Sequence, residues 1–198
     1  DLIVYSCDKD TAPEKMVYGI MKPVLDVPNV GLSGDKFYAP EDTVGRAKYT
    51  GSVLAIDPSG RGSDETAYAV VKMLNGFLYV VDAGGVEGGY SDTTLQHLTD
   101  LAKIHSVNMV LVESNFGDGM FTELLKPYMT KTYPCTMEEV RHNTQKESRI
   151  IDTLEPVMNQ HRLILDPKVI QKDYDSVQHM PPDKGIKYML TYQMTRIT

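Results

Sequence analysis

The order of apolar runs from residue 52 onward restricts the fold of this chain more than any other feature of its sequence. Three strand-like runs come first, at residues 52–57, 67–73 and 77–82. The last two are separated by Asn75 and Gly76, a dipeptide typical of a two-residue β-hairpin turn. Helix-like and strand-like segments then alternate along the chain. This order indicates an α/β domain built on a mixed sheet.

Cap residues and helical spacing place the elements that follow. Ser91 or Asp92 is expected to begin a helix, and the apolar run at residues 108–113 suits a strand buried on both faces of a sheet. A second helix is expected after Asp118, which would serve as its N-cap, and Pro127 is expected to limit its length.

The first 50 residues differ from the rest of the chain. They are rich in proline and irregular, and we interpret them as an arm or interdomain linker that packs on a main domain at residues 51–198. The chain begins without Met, which fits a piece of a longer protein. No apolar run approaches the length of a membrane span. Cys7 and Cys135 match no metal spacing, and isolated thiols favour a reducing, cytoplasmic setting.

The charge of the chain gives two opposing indications about whether it binds nucleic acid. The net charge of −7 argues against non-specific binding by the overall field of the protein. A local basic groove beside an acidic centre is still compatible with it. Thr144 and Glu147 have the spacing of a capping box, and the helix they would open carries Lys146 and Arg149 in its first turns. These two residues are either solvated charges or a pair that positions phosphates.

Two strand-like runs end in the same way, on a carboxylate. Asp57 in "IDPSGRG" and Glu113 in "VESNFGDG" are each the first charged residue after a run of aliphatics, and small residues or glycines follow. If the two strands are parallel neighbours, both carboxylates lie at the same edge of the sheet, where α/β proteins bind ligands. Two carboxylates that close repel each other unless a cation lies between them.

The residue types near these carboxylates favour a hard cation. Oxygen ligands suit Mg²⁺ or Mn²⁺, and the His and Cys spacing of a zinc site is absent, so a phosphate ester is the natural substrate. The glycines would let a large substrate backbone approach, and Arg61 could bind a phosphate. Asp64 fits a turn or a supporting residue and Asp118 fits a helix cap, although both remain candidate ligands. A strand-end aspartate is often only a turn former, so both interpretations of the pair stay open.

Four stretches are similar to one family: "AIDPSGRGSDETAYAV", "VLVESNFGDGMF", "KESRIIDTLEPVMNQHRLI" and "YQMTRI". Together they resemble the nuclease domain of the large terminase subunit of tailed double-stranded DNA phages, podophage type. The resemblance covers most of the chain. It implies a ribonuclease H-like (resolvase/integrase) fold, with a mixed β-sheet flanked by helices. It also implies Mg²⁺- or Mn²⁺-dependent endonucleolytic cleavage of concatemeric phage DNA during genome packaging.

The resemblance also implies roles for individual residues. The first two acids of the family fall on Asp57 and Glu113, and its basic helix falls on Lys146 and Arg149. A two-metal site is implied, with a third acid expected beyond Thr198. The ATPase motor is expected in cis before the first residue, because G-x-x-x-x-G-K-[ST] is absent from the 198 residues. Double-stranded DNA, the portal and the small terminase subunit would be partners in the host cytoplasm, with no membrane.

Three other functions stay open at this point. A Holliday-junction resolvase-like nuclease would use the same chemistry and would be distinguished by a twofold dimer. A sugar-kinase or actin-like ATPase would need a second half similar to residues 52–82, and the sequence shows no such repeat. A non-catalytic ribonuclease H-like docking domain would keep the fold and would not cut DNA.

Overall fold

The chain divides into two compact units. The computed structural model describes residues 2–29, 36–59, 64–114, 119–142 and 145–196. The first unit comprises residues 1–49, 73–81 and 144–198, and the second comprises residues 50–72 and 82–143.

Thirteen strands and six helices form in the described part of the chain. The strands are β1 (Leu2–Val4), β2 (Thr11–Ala12), β3 (Lys15–Val17), β4 (Lys22–Val24), β5 (Phe37–Ala39), β6 (Asp42–Val44), β7 (Ala47–Lys48), β8 (Gly51–Asp57), β9 (Thr66–Leu74), β10 (Phe77–Val86), β11 (Met109–Glu113), β12 (Thr136–Val140) and β13 (Leu163–Leu165). The helices are α1 (Asp92–Ile104), α2 (Met120–Thr132), α3 (Lys146–Asn159), α4 (Pro167–Ser176), α5 (Pro182–Gly185) and α6 (Leu190–Met194).

The second unit contains β8, β11 and β12, with residues 66–72 of β9 and residues 82–86 of β10, whereas residues 73–81 belong to the first unit. Its strand order is β12-β11-β8-β9-β10, and β11 pairs in parallel with both β8 and β12. β9 and β10 are joined through Asn75 and Gly76, both with positive φ, as a two-residue hairpin turn requires. The mixed sheet that the order of elements predicted is therefore confirmed.

Helices α1 and α2 pack against each other in the second unit. Ser91 caps α1, since its side chain accepts a hydrogen bond from the Thr94 N–H, as expected. A ring contact between Tyr68 of β9 and His97 joins α1 to the sheet, with ring centroids 5.9 Å apart. The Tyr133 hydroxyl, just after α2, donates to the Val107 carbonyl at 2.9 Å, next to the start of β11.

The first unit is built around β13. β13 pairs in parallel with β10 on one side and with β1 on the other, and β5 and β4 follow β1 in order. Two small antiparallel pairs, β2 with β7 and β3 with β6, belong to the same unit. Its core cluster includes the buried residues Ile3, Ala12, Met16, Leu74, Tyr79 and Ile164. Residues 2–49 thus carry short paired strands, while the domain boundary at residue 50 stays a prediction.

Local expectations were wrong at three places. β10 continues through residues 83–86, where a loop was expected. Glycine is only weakly disfavoured in strands, and pairing with the neighbouring strand outweighs that preference. Helix α2 runs through Pro127 to Thr132. Its N-cap is Gly119, with φ of 84°, and the predicted cap Asp118 lies outside the described residues.

The predicted capping box of α3 also differs from the structure. The N-cap of α3 is Gln145, without a side-chain cap hydrogen bond, and Thr144 lies outside the described residues. The apolar side chains of α3 are half-buried, and no residue of the helix is fully buried. None of the described helices is long and apolar enough to cross a bilayer.

Candidate active site

Two neighbouring parallel strands place Asp57 and Glu113 side by side. Ile56 of β8 and Val112 of β11 are register partners, and each carboxylate is the next residue along its strand. Adjacent strands lie about 4.8 Å apart. Because the strands are parallel, both carboxylates leave the sheet at its carboxyl edge, as the sequence analysis expected.

The carboxylates lie on the less buried face of this part of the sheet. Leu54, Ile56, Val110 and Val112 are buried, and the residues that alternate with them are half-buried or exposed. Successive side chains of a strand point to opposite faces. Asp57 and Glu113 therefore point away from the buried face, and each is half-buried.

A third strand end adds an arginine to the same edge. Val140 of β12 is the register partner of Glu113, and the ladder continues one step further as the Ser114 N–H donates to the Val140 carbonyl at 3.0 Å. Arg141 follows Val140, and its Nε donates to the Ser114 Oγ at 3.2 Å. The sequence analysis missed Arg141. The sequence sign of its position was a charged residue directly after the strand-like segment "TMEEV", which resembles the two runs that end on Asp57 and Glu113.

The loop after Asp57 is held by buried hydroxyls. The Ser59 N–H donates to the Thr66 Oγ1 at 3.1 Å, and the two hydroxyl oxygens are also 3.1 Å apart. Both residues are buried, at 6% and 0% exposure. Ser59 therefore ties the segment after β8 to the start of β9, which fixes where the chain leaves Asp57.

The other predicted site residues have different positions. Asp64 is exposed in the segment before β9, and Arg61 and Asp118 lie outside the described residues. Lys146 and Arg149 lie in the first turn of α3, in the first unit, three residues apart. Lys146 is exposed and Arg149 is half-buried.

The ligands at the sheet edge are of the type that binds a hard cation, but there are only two of them among the described residues, Asp57 and Glu113. Two carboxylates supply oxygen ligands, which Mg²⁺ and Mn²⁺ prefer. Among the residues that the structure describes, no three His, Cys, Asp or Glu side chains are close enough to hold a metal ion. Burial raises the pKa of the Cys135 thiol, which is the opposite of what an activated cysteine nucleophile needs.

Comparisons with known proteins agree on one family. The family described as "Terminase Bacteriophage T7, Ribonuclease H-like domain" matches residues 56–163. The terminase large subunit of Enterobacteria phage T3 is 44% identical over 173 residues, which cover 87% of this chain and 30% of that protein. The chain thus spans less than a third of the length of this relative.

Solved structures of low sequence identity are also similar. The nuclease domain of the large terminase subunit gp2 of bacterial virus Sf6 has a TM-score of 0.49 at 12% identity, covering 65% of this chain and 70% of that one. The Mn-soaked, inhibitor-bound human cytomegalovirus terminase nuclease domain has a TM-score of 0.47 at 10% identity, covering 74% and 84%. On the family match over more than half of its length, this chain belongs to the ribonuclease H-like domain family of the T7-type phage terminase.

Proposed function

We propose that this chain is the metal-dependent endonuclease domain of a terminase large subunit, which cleaves concatemeric phage DNA during genome packaging. The observation that carries the proposal is the in-register placement of Asp57 and Glu113 at the carboxyl edge of two parallel strands. The family match includes both residues. Since the chain spans 30% of its T3 relative, the activity of the whole protein belongs to this proposal.

Asp57 and Glu113 are proposed to hold Mg²⁺ or Mn²⁺, in a two-metal site completed by an acid outside the described residues. A divalent cation there would supply an activated water and would offset the charge that develops on the phosphate. Both carboxylates are half-buried, so each is partly accessible to solvent. Lys146 and Arg149 are proposed to bind phosphates elsewhere on the same DNA, without reading its sequence.

The partners and location follow from the same proposal. Double-stranded DNA is the substrate, and an ATPase domain in cis, the portal and the small terminase subunit are the protein partners. The site of action is the host cytoplasm. A Holliday-junction resolvase-like nuclease is the alternative enzyme, and a twofold dimer in solution would favour it. A non-catalytic docking domain is the other alternative, and an intact plasmid after incubation would favour that.

The test is the substitution Asp57→Asn in the full-length protein. Asparagine keeps the size of the side chain and loses the anionic oxygens that bind a hard cation, so cleavage should be abolished. The melting temperature should be unchanged or slightly higher, because a carboxylate beside Glu113 is removed. Nicking of a supercoiled plasmid in Mg²⁺ or Mn²⁺, together with a thermal melt, measures both effects.

Asp183→Asn is the matched control, since Asp183 is an exposed aspartate of α5. It should cut at the wild-type rate. A folded Asp57→Asn protein that cuts like wild type would make Asp57 a turn residue and would remove the basis of the nuclease proposal.

A further inference from the structure

The chain leaves Asp57 through two constrained residues. Asp57 ends β8, and the pairing of β8 with β11 extends to Ile56, one residue before the carboxylate. Pro58 comes next, and a proline restricts the residue before it to extended conformations while having no N–H of its own. Ser59 is therefore the first residue after Asp57 whose backbone N–H can anchor the chain.

Thr66 provides that anchor from the first position of β9. Its Oγ1 accepts a hydrogen bond from the Ser59 N–H at 3.1 Å, and the two hydroxyl oxygens are also 3.1 Å apart. Both side chains are buried, whereas Asp57 is half-buried. A buried backbone N–H that loses its partner costs free energy, so this bond holds the chain in place. The anchor acts on Asp57 through the backbone and does not need to contact its carboxylate.

The placement of Asp57 relative to Glu113 decides what the pair can bind. Mg²⁺ takes its oxygen ligands at about 2.0–2.1 Å in nearly octahedral geometry, and a working site holds its ligands to within about 0.5 Å. The chain on both sides of Glu113 is paired with β12, through Val140 as its register partner and through the bond from the Ser114 N–H. Asp57 lies at the last position of its strand, so the segment after it contributes to its placement.

We propose that Thr66 is the positioning residue of Asp57. Its hydroxyl holds the Ser59 N–H, and Pro58 transmits that constraint to the end of β8. Thr66 thereby sets the affinity of the Asp57 and Glu113 pair for a divalent cation. This inference rests on the proposed nuclease function, and it assigns the effect to the hydroxyl of Thr66 and not to its methyl group.

The test is Thr66→Val in the full-length protein, because valine has nearly the shape of threonine and lacks the hydroxyl. Mn²⁺ is titrated in, and the electron paramagnetic resonance signal of the free ion measures how much is bound. Asp57→Asn defines the Mn²⁺ that binds elsewhere on the protein. Thr66→Val should weaken binding at the Asp57-dependent site by about tenfold or more, as loss of an outer-shell partner does in metal sites. Thr66→Ser keeps the hydroxyl and should bind like wild type.

Thr99→Val is the matched control. Thr99 is also fully buried in the second unit, and its Oγ1 donates to the Leu95 carbonyl at 2.8 Å within α1. Both valine variants lose one hydrogen-bonded hydroxyl, so both should melt at a lower temperature. Only Thr66→Val should weaken Mn²⁺ binding. Equal weakening in the two variants would overturn the inference, because general loosening of the unit would then explain the effect. Wild-type affinity in Thr66→Val would also overturn it.

A second pair of variants decides the matter if Thr66→Val does not fold. Thr66→Ser and Thr66→Cys have side chains of similar size, but sulfur is a weak hydrogen-bond acceptor. Weaker Mn²⁺ binding in the cysteine variant than in the serine variant supports the inference, and equal binding overturns it. The nuclease proposal fails by a different result, which is nicking of a plasmid by Asp57→Asn or no nicking by wild type. Equal Mn²⁺ binding by wild type and Asp57→Asn would overturn both.

Discussion

At the scale of single residues, the half-buried Tyr18 and the fully buried Tyr79 of the first unit differ in how their hydroxyls are hydrogen-bonded. The Tyr18 hydroxyl donates to the His161 carbonyl at 2.6 Å, and burial raises the pKa of Tyr18 to about 12. Tyr79 is fully buried, and its hydroxyl has no hydrogen-bond partner among the described residues. An unpaired buried hydroxyl costs free energy, whereas a paired one contributes about 1 kcal/mol.

We therefore expect Tyr79→Phe to leave the free energy of unfolding unchanged or to raise it, and Tyr18→Phe to lower it by about 1 kcal/mol. Both changes remove one oxygen from a core tyrosine, so each is the control for the other, and urea unfolding measures the difference. A larger loss from Tyr79→Phe than from Tyr18→Phe would mean that the Tyr79 hydroxyl has a partner in solution.

At the scale of elements, Asp166 connects two segments of the first unit at the start of α4. Its Oδ1 accepts a hydrogen bond from the Lys168 N–H at 2.8 Å, and its Oδ2 accepts one from the Cys7 N–H at 2.9 Å. Asp166 is 5% exposed.

We expect Asp166→Ala to lower the free energy of unfolding by about 3 kcal/mol. This loss combines the missing helix cap with the loss of the hydrogen bond from the Cys7 N–H. Ser91→Ala removes only a cap, at the start of α1, and should cost about 1 kcal/mol. Equal losses in the two variants, measured by urea unfolding, would show that the bond to Cys7 contributes nothing.

The basic turn of α3 gives a second prediction at this scale. If Lys146 and Arg149 contact DNA phosphates, changing both to alanine should flatten the salt dependence of DNA binding by about one unit of slope per lost contact. Lys184 and Lys187 have the same three-residue spacing and are exposed in the same unit, so their double alanine variant is the control. Fluorescence anisotropy over a range of salt concentrations measures both slopes. An unchanged slope for the α3 variant would make its basic residues solvated surface charges.

At the scale of the whole molecule, residues 1–50 bear on how the chain is divided. β1 pairs with β13 on one side and with β5 on the other, and Leu2, Ile3 and Val4 are at most 4% exposed. Removing residues 1–50 would expose an edge of β13 and would lose about 5 kcal/mol or more of apolar burial from these three side chains. We expect the shortened chain to melt at a lower temperature and to aggregate, as measured by calorimetry and size-exclusion chromatography. A shortened chain that stays monomeric and melts like the full 198 residues would support the predicted arm or linker.

Much of the fold was determined by local sequence patterns. The Asn75-Gly76 turn, the Ser91 cap and the strands at residues 51–57 and 109–113 were predictable, because turn chemistry, capping and apolar runs act over a few residues. The extension of β10 to Val86 and the passage of α2 through Pro127 were not. In both cases tertiary packing outweighed local preferences that amount to a few kcal/mol.

For the candidate site, the sequence by itself determined that two carboxylates stand at strand ends, with small residues after them. Only the tertiary structure decided that β8 and β11 are parallel neighbours in a register that sets Asp57 beside Glu113. Only it placed Ser114 and Arg141 together, because they are 27 residues apart in the chain and meet across a strand pairing. Residue type is a local property, whereas pairing and register depend on how distant segments bury their apolar faces together.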